Sequence, residues 1–168
     1  MLCCIHCFRD PLLRGLIERD GGLGDCHYCG KKNAKTIHVA KLTKYFEEAI
    51  RQDPNYALAY AGLAEAWITL PGHASARLQD VKPKAKEAAL KSLQIDDTLA
   101  GAHTALAQVL FFDLDFAGAI KEFQRAIDLD PNYATAHHWY ANGPLLALGR
   151  FDEAIAGVFG QRPPLPPA

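Results

Sequence analysis

The sequence lacks three features that would assign it to a large class of proteins at once. No apolar run in it approaches the length of about 20 residues that a membrane-spanning helix needs, so we expect no membrane segment. Its 18 lysine and arginine residues nearly balance 19 aspartate and glutamate residues, which argues against a whole surface devoted to nucleic acid. The N-terminus carries cysteines where a signal peptide would have basic and apolar regions, so we expect a cytoplasmic protein.

Cysteine is also absent after residue 29, although the chain contains five. Cys4 and Cys7 form one C-x2-C pair, and Cys26 and Cys29 form a second pair after eighteen intervening residues. This spacing is typical of a four-cysteine Zn²⁺ site, in which two tight turns aim four thiolates at one tetrahedral ion. Iron–sulfur ligation is the alternative that four thiolates also allow, and Cys3 is left as a spare thiol.

The N-terminal segment resembles a known bacterial domain. The run CCIHCFRDPLLRGLIERDGGLGDCHYCGKKNAKTIHVAKL is similar to the small domain that precedes HEPN and RES modules in toxin–antitoxin and defence systems. The resemblance covers about residues 1–50 and implies that Cys4, Cys7, Cys26 and Cys29 hold one structural zinc ion. Nothing downstream resembles a HEPN ribonuclease motif or a RES catalytic domain.

Three lysines, Lys31, Lys32 and Lys35, lie next to the second cysteine pair. Zinc ribbons often contact nucleic acid through such lysines, so nucleic acid is one candidate partner of this segment. The other interpretation is a solvated basic edge. We favour the basic edge, because Tyr28 is the one aromatic residue interleaved with these charges.

From residue 41 a helical repeat pattern begins. The segments YFEEAIRQDPNYALAYAGLAEAW and EFQRAIDLDPNYATAHHWYANG share the sequence Asp-Pro-Asn-Tyr-Ala, and KEAALKSLQIDDTLAGAHTALAQVL follows the same scheme between them. The pattern resembles a tetratricopeptide (TPR) array, whose helix–turn–helix unit has a period of 34 residues. The resemblance implies a mainly α fold, in which about three helical hairpins stack into a solenoid behind the small zinc-ribbon module.

The chain therefore divides into three parts. We assign residues 1–40 to the zinc-ribbon module, 41–156 to the TPR array and 157–168 to a proline-rich, disordered tail. The array comprises a half unit at 41–56, a unit with an insertion at 57–99, a regular unit at 100–133 and an irregular unit at 134–156. Asn142-Gly143-Pro144 falls inside the first helix of the last unit, so we expect a kink or an early end there.

The first helices of such units form a concave groove that commonly binds a peptide. By position, the expected lining is Glu65, Ile68, Thr104, Gln108, Phe111, Phe112, His138 and Asn142. The polar side chains could bond a peptide backbone, and the two phenylalanines could accept an apolar residue. For each residue the alternative is that it faces solvent or packs within the array.

His103 and His137 are 34 residues apart and so occupy the same place in successive units. Such a pair suggests a metal or catalytic site, but repeat equivalence already explains the spacing, and we favour a structural role.

The pattern as a whole predicts a non-enzymatic adaptor that binds an unidentified protein or peptide in the TPR groove. Self-association is a second expected interaction, because the ends of an array leave surface exposed. The repeats also resemble arrays found behind winged-helix, kinase or cyclase domains of bacterial signalling proteins. The alternative function is therefore a regulatory remnant of a signalling or defence protein, whose zinc ribbon contacts nucleic acid or a missing effector domain.

Overall fold

The computed structural model describes residues 2–4, 11–25, 30–72 and 76–159. In this part of the chain a three-stranded sheet with one helix comes first, and seven further α-helices follow it. Cys7, Cys26, Cys29, the insertion residues 73–75 and the tail residues 160–168 lie outside the described residues.

The N-terminal sheet has its last strand in the middle. Strand β1 is Leu2–Cys4, helix α1 is Pro11–Asp20, β2 is Gly22–Gly24 and β3 is Ala34–His38. Both β1 and β2 pair with β3 in antiparallel register, with Cys4 and Gly22 on either side of Thr36. The outer strands therefore run in the same direction, and both end towards Ala34.

Helix α1 attaches this sheet to the helices that follow. Its residue Ile17 is fully buried in a cluster with Leu42 and Phe46. One turn further on, the Tyr45 hydroxyl donates a hydrogen bond of 2.8 Å to Asp20. The N-terminal module is thus packed onto the start of the array rather than tethered to it by a linker.

The remaining helices form stacked antiparallel hairpins. Their bounds are α2 Val39–Gln52, α3 Ala57–Thr69, α4 Leu78–Ile95, α5 Ala100–Phe112, α6 Phe116–Leu129, α7 Ala134–Tyr140 and α8 Phe151–Phe159. The contacts of α3 with α4 and of α5 with α6 form two hairpins, and α3 packs on α5 across them. This arrangement confirms the predicted mainly α solenoid. No helix in the described ranges is both long enough and apolar enough to cross a bilayer.

An aspartate closes three of the turns between units. The side chains of Asp53, Asp96 and Asp130 each accept a hydrogen bond from the backbone N–H two residues later, at 2.9–3.0 Å. In the turn that begins with Asp96 the next residue is also aspartate, whereas it is proline in the other two turns. The side chain of Asp96 nevertheless accepts the same hydrogen bond. The aspartate therefore determines the local geometry of the turn, and proline prevents the preceding helix from continuing.

Residue size is matched between neighbouring helices. The ring of Phe46 on α2 lies directly against Gly62 on α3, where a Cβ atom would collide with it. At the equivalent place on α4 the residue is Ala89, and it packs in one cluster with Ala105 of α5. A large residue thus faces glycine in one pair of helices, and two small residues meet in the next.

The insertion in the second unit is only partly a loop. A short 3₁₀ turn, Leu70–Gly72, extends α3, and α4 already begins at Leu78. As a result α4 has 18 residues, whereas the corresponding helix of the regular unit, α6, has 14. Much of the insertion lengthens the hairpin itself.

The irregular unit contains a widened helical turn at the predicted break. A π-helical turn, Ala141–Leu145, continues α7 and includes Pro144. Leu114 and Gly149 end the first helices of successive units with positive φ angles of 63° and 71°, and they are 35 residues apart rather than 34. The π turn accommodates this one extra residue. The helix is widened there and continues beyond Pro144, and α8 extends to Phe159, past the predicted end of the array at 156.

We predict that Gly62→Ala destabilises the protein by about 1–3 kcal/mol, because the new methyl group would displace the buried ring of Phe46. Urea-induced unfolding followed by circular dichroism measures the change. Gly15→Ala in α1 is the matched control, since no atom outside its own helix lies within 4 Å of the added Cβ. The control should leave stability unchanged or raise it by about 0.5–1 kcal/mol. Equal effects of the two substitutions would contradict the size matching.

Candidate functional site

The first helices of the units, α3, α5 and α7, lie side by side and form the face predicted to bind a ligand. Across this face the Tyr133 hydroxyl, at the start of α7, donates a hydrogen bond to Glu65 on α3. A Cβ on Gly101 of α5 would lie 3.3 Å from both oxygen atoms of this bond. The absence of a side chain at Gly101 therefore leaves room for α3 and α7 to be joined over α5.

The carboxyl group of Glu65 is buried, and burial disfavours its negatively charged form. Burial raises its pKa from 4.5 to about 7, and the hydrogen bond from Tyr133 partly opposes that rise. The carboxyl group of Glu65 is therefore mostly uncharged below about pH 7 and mostly charged above it. It is a titratable contact that spans the candidate ligand face.

Three of the predicted lining residues occupy one repeat position, and their burial differs. Glu65, Gln108 and Asn142 are equivalent by spacing. Gln108 is only 3% exposed, whereas Asn142 is exposed to solvent. Thr104, one turn before Gln108, is fully buried and donates a hydrogen bond of 2.9 Å to the carbonyl of Ala100.

Neither Thr104 nor Gln108 therefore offers its side chain to a ligand in this conformation. The reason is that α5 is the central helix of the array and contacts α3, α4, α6 and α7. The same holds for Ile68, which is 4% exposed and packs against Val109. These three residues therefore pack within the array, which is the alternative that the sequence left open for them.

The two predicted apolar lining residues, Phe111 and Phe112, are half-buried and contact each other with ring centroids 5.4 Å apart. Phe112 packs on the Ile68 cluster, whereas Phe111 belongs to a different cluster around Phe123. Each ring thus fills space between helices of the array, and neither projects as a free anchor for a ligand.

His138 and Asn142 are the exposed members of the predicted lining. They are one helical turn apart on α7 and the π turn, and the Asn142 amide nitrogen lies 3.2 Å from His138 Nδ1. Both side chains can donate and accept hydrogen bonds. The accessible polar part of the predicted groove therefore lies at its α7 end.

The two repeat-equivalent histidines make the same contact. His103 Nε2 lies 2.9 Å from the carbonyl oxygen of Asp97, and His137 Nε2 lies 3.0 Å from that of Pro131. In each case the carbonyl is six residues upstream, in the turn that enters the helix. This shared contact supports the structural interpretation of the pair.

The loop between β2 and β3 carries the second cysteine pair, Lys31 and Lys32, and Lys35 follows in β3. Asp25 closes the loop by accepting hydrogen bonds from Lys32, at 2.8 Å, and from the backbone N–H of Asn33, at 3.1 Å. Lys35 donates to the carbonyl of Gly21 at 3.1 Å. Two of the three lysines proposed to contact nucleic acid thus have local partners, and Lys31 is exposed.

A second depression, of about 750 Å³, lies between α2, α3 and α4. We call it the α2–α4 groove and define it by Glu47 of α2, by Tyr60, Leu63 and Trp67 of α3, and by Lys84, Glu87, Leu90 and Lys91 of α4. None of these residues belongs to the lining predicted from the sequence, because Tyr60, Leu63 and Trp67 fall where a repeat helix packs on its neighbours. The sequence signal for this groove was the pair of large aromatic residues, which are two helical turns apart on α3.

The titration of Glu65 predicts a pH-dependent stability. Its pKa in the folded state, about 7, lies above its ordinary value of 4.5, so the folded state binds more protons between these values. The contribution to stability is complete below about pH 4.5 and is lost as pH rises through about 7. Relative to Glu65→Gln, the wild-type free energy of unfolding should fall by up to about 3 kcal/mol across this range.

Urea unfolding of both proteins at closely spaced pH values measures this difference. Tyr133→Phe should move the transition to higher pH, because it removes the hydrogen bond that lowers the pKa of Glu65. Parallel stability profiles for the wild type and Glu65→Gln would show that this carboxyl group does not titrate as described.

The helical array is similar to solved repeat structures. A thermophilic TPR protein of Thermus thermophilus superposes with a TM-score of 0.62 at 21% identity, over 75% of this chain and 66% of that protein. The crystal structure of MamA matches with a TM-score of 0.51 at 23% identity, over 68% of this chain and 61% of its own. At these identities the likeness shows the fold.

A sequence relative is the Hsp70–Hsp90 organizing protein of Triticum aestivum, which is 25% identical over 103 residues. The match covers 61% of this chain and only 16% of that protein. No protein-family model matches the chain, so the resemblance of residues 1–50 to the domain that precedes HEPN and RES modules stays a prediction. The helices of residues 39–159 and these comparisons together show that the chain is a TPR-like helical repeat protein.

Proposed function

We propose that this protein is a non-enzymatic adaptor that binds a peptide segment of another protein on the face formed by α3, α5 and α7. The observation that carries the proposal is the exposed pair His138 and Asn142, at the repeat positions that face the groove of a TPR-like array. The similarity over 103 residues to a protein named as an Hsp70–Hsp90 organizing protein supports an assembling role.

The chemistry of the exposed pair fits the main chain of an extended peptide. An asparagine amide donates to a carbonyl and accepts from an N–H, so it can pair with one peptide unit. His138 adds a second donor or acceptor one helical turn away on the same face of α7. Because Thr104 and Gln108 are buried, recognition is concentrated at the α7 end of the face.

A phage-displayed random peptide library selected on the full chain tests this function. Peptides that bind the wild type should bind the double variant His138→Ala, Asn142→Ala about tenfold more weakly, because two hydrogen-bonding side chains are lost. Lys121→Ala and Asp128→Ala, exposed on α6, are matched controls and should leave the affinity unchanged. Equal affinity for the double variant and the controls would remove this face as the site.

We further propose that Cys4, Cys7, Cys26 and Cys29 hold one structural zinc ion. The topology of the sheet supports this, because β1 and β2 flank β3 and run in the same direction. The chain leaves both outer strands at one edge, with Cys7 three residues beyond Cys4 and Cys26 two residues beyond Gly24. Both C-x2-C turns therefore start from the same edge of the sheet.

The spacing of the strands also fits a shared ion. Two strands on either side of a third are about 10 Å apart, a gap that two short turns can close around one ion with zinc–sulfur distances of about 2.3 Å. Gly30, directly after Cys29, has a φ of +74°, a backbone conformation that lets a tight turn end there. The zinc ion would then join the ends of β1 and β2, and so stabilise the module that packs on α2 and α3.

Elemental analysis of protein purified without a histidine tag tests the metal site. We expect one zinc per chain in the wild type, and its loss together with a lower unfolding midpoint in Cys4→Ser and in Cys26→Ser. Cys3→Ser is the matched control, because it removes the neighbouring thiol but none of the proposed ligands. Metal-free protein with rapidly alkylated thiols, or equal loss of zinc in Cys3→Ser, would contradict the assignment.

A further inference from the structure

The floor of the α2–α4 groove is a row of apolar side chains on one face of α3. Tyr60, Leu63 and Trp67 recur at intervals of three and four residues, and all three are only partly buried. With a rise of 1.5 Å per residue, Tyr60 and Trp67 are about 10.5 Å apart along the helix axis. On the α4 side Leu90 is 49% exposed and adds an apolar contact among the charged residues of that wall.

The chain itself contains a segment that matches this spacing. Residues 162–167 read RPPLPP and lie beyond the described residues. A polyproline II helix advances about 3.1 Å per residue with three residues per turn, so proline pairs three residues apart recur about every 9.3 Å. Aromatic-lined grooves are the sites that such segments occupy. The spacing of the two proline pairs, about 9.3 Å, is therefore close to the axial separation of Tyr60 and Trp67.

The charged side chains of the groove divide between its two rims: Glu47 lies on α2, and Lys84, Glu87 and Lys91 lie on α4. Glu47 on α2 and Glu87 on α4 stand on opposite rims, and neither forms an ion pair within the part of the chain that the structure describes. Arg162 is the only charged residue among residues 160–168. Lys84 and Lys91 are both on the α4 rim, and Lys84 lies 4.6 Å from the centroid of the Trp67 ring, so Glu47 on the α2 rim is the acidic group that favours Arg162.

The length of the chain determines which copy supplies the segment. Arg162 follows Phe159, the last residue of α8, by three residues, which reach at most about 10 Å. Helix α8 packs on α7 and the π turn, and α5 and α6 separate these from α4. Since packed helices are 8–10 Å apart, this separation is about 16–20 Å, so Arg162 does not reach the groove of its own chain.

We propose that the α2–α4 groove binds the segment Arg162–Pro167 of a second copy of this chain, with Arg162 paired to Glu47. The segment binds as a polyproline II helix along α3, and exchange of segments between two copies gives a dimer. This interaction uses the opposite side of α3 from the face proposed for the peptide partner. It does not depend on the proposed adaptor function.

Sedimentation velocity and peptide binding together test the proposal on the full chain. The wild type should dimerise with rising concentration, and a variant with alanine for Pro163, Pro164, Pro166 and Pro167 should stay monomeric. A fluorescein-labelled peptide GQRPPLPPA should bind that monomeric variant saturably in fluorescence anisotropy. A dimer that persists in the alanine variant, or a wild type that is monomeric at all concentrations, would overturn the proposal.

Substitutions in the groove locate the peptide. In the monomeric background, Trp67→Ala should weaken peptide binding about tenfold, as expected for loss of an aromatic contact at the centre of a site. Leu90→Ser tests the same wall at an exposed position where folding is not at risk, and it should weaken binding several-fold. Trp139→Phe, outside the groove, is the control for indole loss. Unchanged affinity in Leu90→Ser would place the peptide elsewhere.

A charge exchange tests the direction of the segment. The peptide GQEPPLPPA, which carries the Arg162→Glu change, should bind more weakly than GQRPPLPPA. Glu47→Lys in the protein should restore its binding, whereas Asp128→Lys on α6 should not. Equal rescue by both lysine variants would reduce the effect to net charge and contradict the pairing of Arg162 with Glu47.

Discussion

Close approach of neighbouring helices at small residues is the constraint on which the rest of this structure depends. Ala64, Ala105 and Ala119 are fully buried at points where helices of adjacent hairpins meet. Helix axes can lie 8–10 Å apart only where the contact residues are small or matched in size, as Phe46 and Gly62 are. Both the face formed by α3, α5 and α7 and the α2–α4 groove exist because this spacing recurs from one hairpin to the next.

The N-terminal module packs on the first helices of the same array. Ile17 buries its side chain among residues of α2 and α3, and Asp20 accepts the hydroxyl of Tyr45. Terminal repeats need a cap, because an unpaired hairpin exposes its apolar side to water. The proposed zinc ion would hold the two outer strands of this cap at one edge and so add to the stability of the small sheet. In this way metal binding and array stability would be coupled.

The two candidate binding surfaces differ in chemistry and lie on opposite sides of α3. The ligand face is polar at its α7 end and is crossed by the contact between Glu65 and Tyr133, whose strength depends on pH. The α2–α4 groove is aromatic, with charges on its rims. A protein with both can bind a partner through one surface and a second copy of itself through the other. Binding of a partner on one side of α3 would then be independent of dimerisation through the other side.

The sequence by itself determined the helical hairpins, the repeated Asp-Pro-Asn-Tyr-Ala turns and the irregular last unit, because each of these is a local or periodic pattern. Only the tertiary structure decided which equivalent residues are accessible: Gln108 and Asn142 share one repeat position, yet the first is buried in the central helix and the second is exposed near the end of the array. Likewise the break around Pro144 was visible in the sequence, but its form was not, since a π turn keeps the hairpin in register by absorbing one residue. Accessibility and register depend on what packs across from a residue, and a single helix does not encode its neighbours.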